Sequence, residues 1–96
     1  MYNVIKQYIR SKNGDKKGLL IAFKDLNGKV RCGWSLKATG DKWDNELAHE
    51  IAVGRTTKVQ FHNIHDIPPS LHSTYTYFLQ RVVAYYKLGE APKNNL

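Results

Sequence analysis

Cysteine is all but missing from this 96-residue chain. Cys32 stands alone, so no internal disulfide can form, and a lone thiol fits a reducing compartment. No apolar run approaches the roughly 18 residues that a membrane-spanning helix needs. The N-terminus lacks the charged head, apolar run and small-residue cleavage site of a secretory signal, so a cytoplasmic protein is expected. Repeats, low-complexity tracts and internal linkers are also missing. One domain is expected over residues 1–88, with a frayed tail over 89–96. The chain has no Gly-x-Ser-x-Gly elbow, P-loop, helix-turn-helix, zinc-finger spacing or RNA-binding aromatic motif. Acids are scarce in the first third, where only Asp15 and Asp25 occur before residue 38.

That scarcity localises the charge. Residues 1–37 hold nine Lys or Arg against those two acids and carry the whole formal net charge of +7, while the remainder balances six bases with six acids. A local positive field attracts phosphate or an acidic protein face and raises the rate of encounter with either. The apolar fraction of 42% and the charged fraction of 24% are those of an ordinary globular protein, so a folded chain is expected.

The pattern of residue types predicts the order of elements. Residues 2–10 read as a strand, with a short helix as the rival because Ile5 and Ile9 share a helical spacing. Asn13-Gly14 marks a turn. Residues 19–24 are apolar on both parities, as in a central strand, and residues 25–28 close a hairpin through Asn27-Gly28. In residues 29–37, Val30, Cys32, Trp34 and Leu36 alternate with Lys29, Arg31, Gly33, Ser35 and Lys37. This predicts a sheet packed on one face and open on the other. A helix follows from about residue 43 to 53, capped by Asp41 or Asp44 and stopped at Gly54. Trp43, Leu47, Ile51, Ala48 and Ala52 form its core stripe. Residues 58–62 suit a short strand. The last helix opens at Pro68-Pro69 with Ser70 as a cap and carries Leu71, Tyr75, Phe78, Leu79, Val82, Tyr85 and Tyr86 to a stop at Gly89. The expected fold is α+β: an antiparallel sheet of three to four strands with two helices packed on one face. An exposed first strand could pair with its twin to make a homodimer.

Four constellations bear on chemistry. Lys29, Arg31 and Lys37 would share the open sheet face, joined by Lys6, Tyr8 and Arg10, with Lys12, Lys16 and Lys17 in the first turn. Such a surface can hold a nucleic-acid backbone and stack a base, although lysines on an exposed sheet also serve solubility. His62, His65 and His72 offer imidazoles and Asp66 a carboxylate, but in a spacing that is no specific metal signature, so no metal or cofactor is assigned. Glu46, His49 and Glu50 share a helix surface, where general acid–base work is chemically open and a solvated face is the ordinary reading. Gly54-Arg55-Thr56-Thr57-Lys58 follows a helix C-terminus, where the dipole disfavours anions. Arg55 is kept as a candidate contact. Cys32 falls on the apolar strand face and reads as a buried thiol.

Gly33-Trp34-Ser35-Leu36, Asp41-Lys42-Trp43 and Ile51-Ala52-Val53-Gly54-Arg55 together resemble a family of small proteins encoded by tailed bacteriophages. The similarity covers roughly residues 18–58 and carries over no catalytic residue. It implies a phage product in a bacterial cytoplasm, of a kind that binds host machinery, including defence complexes such as CRISPR effectors. The chain is therefore expected to be a non-enzymatic phage accessory protein that binds nucleic acid or a nucleic-acid-containing host complex. The alternatives are a protein–protein inhibitor of a host defence factor and a small metal-dependent hydrolase or nuclease.

Overall fold

Two Asn-Gly turns fold the first third of the chain into a meander. In the computed structural model, which describes residues 4–56 and 67–87, strands β1 (Ile5–Arg10), β2 (Lys16–Lys24) and β3 (Val30–Leu36) form an antiparallel sheet in the order β1-β2-β3. Gly14 (φ 86°) and Gly28 (φ 80°) take the left-handed conformation that these turns need. The second turn is further tied by Asp25 N–H donating to Lys29 O at 2.8 Å and Gly28 N–H to Asp25 O at 3.0 Å. Helix α1 (Asn45–Arg55) follows, then a 3₁₀ turn (Pro69–Leu71) that runs directly into α2 (His72–Tyr86).

The α+β class, the three-stranded antiparallel sheet and the two helices agree with the sequence pattern. The expected strand at residues 58–62, His62, His65, Asp66, the Gly89 stop and the 89–96 tail lie outside the described residues. No described helix is long and apolar enough to cross a membrane.

The register explains the core. Leu20 pairs with Gln7 on one side and Trp34 on the other, and Ala22 pairs with Ile5 and Cys32. Ile5, Ile9, Leu20, Ala22 and Cys32 therefore share one face, and α2 covers it with Tyr75, Phe78, Leu79 and Val82. Tyr8, Leu19, Ile21, Gly33 and Ser35 share the other, and there the arrangement differs from the expected open surface. Helix α1 packs on it through Ala48 and Ala52, so the two helices sit on opposite faces. Leu19 and Ile21 supply the reason: β2 is apolar on both parities, and a strand with two apolar faces needs cover on both. Gly33 and Ser35 do not leave a flat centre for a ligand. Gly33 lets α1 approach so closely that a Cβ there would collide with the Ala52 carbonyl oxygen.

The helix details shift accordingly. Asp44 caps α1 by accepting from Leu47 N–H at 3.0 Å. Gly54 lies inside the helix, and Thr56 ends it, donating from its hydroxyl to Val53 O at 2.7 Å. The buried stripe of α1 is narrow: Ala48 and Ala52 are in the core, Trp43 and Ile51 are half-buried, and Leu47 is 51% exposed. Ser70 makes no cap, and the chain enters α2 through Pro69 in the 3₁₀ turn. The helix α2 ends at Lys87, a lysine in the left-handed region (φ 56°). Tyr85 points outward, and Val83 takes a place in the core.

Candidate functional site

The strand β2 separates two groups of cations. It is nine residues long, so the hairpin tips at its ends stand about 26 Å apart at ~3.3 Å per residue. Arg10, Lys12, Lys16 and Lys17 belong to the β1–β2 tip. Lys37 joins them from the end of β3, its backbone N–H donating to Lys17 O at 2.8 Å. This end carries five cations and one acid, Asp15. Lys24, Lys29 and Arg31 belong to the far tip, and the Lys29 and Arg31 expected beside Lys37 on one open face are instead a strand's length away.

The two ends differ in how their charge is spent. At the far tip, Asp25 accepts from the backbone N–H groups of Asn27 and Lys29 at 2.9 Å each and from Arg31 Nε at 3.2 Å. These bonds, the Lys29 N–H foremost, hold its carboxyl below the usual carboxylate range. That is the only ion pair among the described residues. At the β1–β2 end, Arg10 donates to Gly14 O at 2.8 Å, and Lys16 Nζ lies 4.1 Å from the centroid of the Tyr8 ring. Lys12 and Lys17 are exposed, Lys37 is half-buried, and no carboxylate pairs with any of the three among the described residues. Their field therefore projects into solvent.

Three other candidates lie away from the hairpin end's free lysines. Tyr8 is half-buried beneath Lys16, with its hydroxyl donating to Asn45 Oδ1 at 3.1 Å and its ring edge-on to Trp43 and His49, so it is a packing residue of the sheet–α1 seam. Lys6 shares a shallow hollow with Glu46 and Glu50 and forms no ion pair with either. Arg55 bends around the edge of β3: its guanidinium stacks 3.7 Å from the Trp34 ring centroid and donates to Trp34 O at 3.2 Å. Desolvation there lowers its pKa. Arg81 does the same work at the opposite edge, donating to Lys6 O at 3.2 Å and Gln7 Oε1 at 2.6 Å. Both outer strands thus have a carbonyl covered by an arginine from a helix.

Beside the cationic end lies a half-open pocket of about 250 Å³ between the end of β3, the 37–44 loop and the first turns of α1. Leu36, Trp43, Leu47 and Ile51 form its apolar wall, with Lys37, Asp41 and Lys42 at the rim. Two wall residues hold polar atoms that are buried and have no hydrogen-bond partner among the described residues, Ser35 Oγ and Trp43 Nε1. The charge pattern alone gives no hint of this pocket. Its lining comes from three separated stretches of the chain, with Ser35 and Leu36 from β3, Asp41, Lys42 and Trp43 from the loop, and Ile51 from α1.

The two histidines among the described residues each bond to a backbone carbonyl. His49 Nδ1 donates to Asn45 O at 2.8 Å, leaving Nε2 buried and unpartnered among the described residues. His72 Nε2 donates to Ile67 O at 2.8 Å. No group of three metal-ligating side chains occurs among the described residues. No protein-family model, curated protein or solved structure matches the chain.

Proposed function

We propose that this chain is a non-enzymatic binding protein whose β1–β2 hairpin end docks on the phosphate backbone of a nucleic acid, free or within a host complex. The observation that carries this reading is the convergence of Lys12, Lys17 and Lys37 from three segments at one end, with none of the three in an ion pair among the described residues. The resemblance to phage-encoded proteins fits a bacterial nucleic-acid-containing assembly as the target. Affinity for a labelled oligonucleotide should fall with salt, with a log–log slope of about −0.7 to −0.9 for each phosphate neutralised. The Lys12→Glu, Lys17→Glu, Lys37→Glu triple variant should lose binding at least about 100-fold at low salt, since charge reversal replaces attraction by repulsion. Lys29→Glu, at the far tip, should change it less than about threefold. Equal losses in the two would remove the assignment.

A second reading is favoured by a different observation. Leu47 and Val53 are 51% and 50% exposed on α1, and Leu36 is 39% exposed nearby, which suits an apolar contact with a host protein that holds no nucleic acid in the interface. In that case binding to the target would survive nuclease treatment and depend little on salt.

A further inference from the structure

We infer that the pocket between β3 and α1 seats one unstacked base of a single strand whose backbone follows the hairpin end, an inference that rests on reading that end as a nucleic-acid contact. Lys37 belongs to both features. Its backbone is bonded to Lys17 in the cationic group, and its side chain is on the pocket rim. A strand held by Lys17 and Lys37 therefore passes the pocket mouth. Asp41 and Asp44 both line the pocket, and their charge keeps phosphates off the α1 side and toward Lys37. The volume suits the occupant: a cavity of about 150 Å³ holds benzene, and the 250 Å³ here accommodates a pyrimidine or purine.

The wall chemistry also fits a base. Bases have apolar faces and an edge bearing acceptor oxygens or nitrogens. Leu36, Leu47, Ile51 and the Trp43 ring meet the faces. The indole N–H of Trp43 and the Ser35 hydroxyl are buried without a partner among the described residues, so the seat is set by the apolar faces and not by a bonded edge. Both are shut off from solvent behind the wall. The 37–44 loop beside the pocket is tied by Lys37 N–H to Lys17 O and Asp41 N–H to Ala38 O, which holds the pocket's shape. Bases inside a duplex cannot enter, so single strands are the substrate class.

The test is fluorescence anisotropy with three labelled probes: a single-stranded oligonucleotide, an abasic strand of equal length, and the corresponding duplex. The wild type should bind the base-containing strand about tenfold tighter than the abasic strand. Ala38→Leu, at an exposed rim position, fills the mouth without touching the core. It should erase that difference and leave the salt slope intact. Equal binding of base-containing and abasic strands, or of duplex and single strand, would overturn the base seat alone. Failure of every probe to bind at low salt would overturn the hairpin-end reading together with it.

Discussion

At the scale of single residues, two glycines and a cysteine carry the clearest consequences. Gly33 is where α1 meets the sheet, and a methyl group there faces a backbone oxygen that cannot step aside. Gly33→Ala should destabilise the protein by about 1–3 kcal/mol. Gly54, inside α1, is the opposite case, because a β-carbon added there would meet nothing within 4 Å. Gly54→Ala should stabilise by about 0.5–1 kcal/mol. Urea unfolding of the two variants checks both signs. Cys32 is fully buried, and desolvation pushes its thiol up to about 12 from an ordinary 9.0, with a bond from Tyr75 opposing the shift in part. The sign follows from linkage: between those values the folded state keeps a proton that the unfolded state releases, so stability falls as pH rises above 9, by about 1.4 kcal/mol per pH unit from this group. Below pH 9 the group contributes no slope. Unfolding curves at pH 8 to 10.5 should show the decline in the wild type and a shallower one in Cys32→Ala.

At the scale of elements, the arginines that clasp the outer strands make a separate prediction. Arg55→Ala removes a stack on Trp34 and uncovers a β3 carbonyl, and should cost about 1 kcal/mol in denaturant unfolding. Arg55→Lys should recover little of it, because an ammonium cannot lie flat on the indole and reach the carbonyl together. The strands, their turns and the helical pattern of Tyr75, Phe78, Leu79 and Val82 were legible because each is written locally, in a period of two, a period near four, or an Asn-Gly pair. The side on which α1 packs was not. Leu19 and Ile21 reveal that β2 is buried on both faces, but which helix takes which face depends on the small residues at 33, 48 and 52 meeting across the sheet, a relation between distant positions. The narrow Ala48–Ala52 stripe misled for the same reason: a close approach replaces large apolar residues with small ones.

Taken as a whole, the molecule sorts its charge by end and not by face. Alternation in β3 places Lys29, Arg31 and Lys37 on one parity, which sequence reasoning converts into a shared surface; the length of the strand and the Asp25 pairing separate them again. The excess over residues 1–37 was legible, whereas its focus at Lys12, Lys17 and Lys37 required the fold-back of β2 against β3. The order of the elements also governs synthesis. The first three strands and α1 are consecutive in the chain, whereas α2 reaches back across it, as the Arg81–Lys6 bond joins positions 75 residues apart. While the ribosome is still delivering the C-terminal helix, the nascent meander shows Ile5, Leu20, Ala22 and Cys32 to the surroundings as a bare oily wall. A chain stopped after residue 56 should therefore bind a hydrophobic dye and sediment as aggregates, and adding α2 as a separate peptide should suppress both.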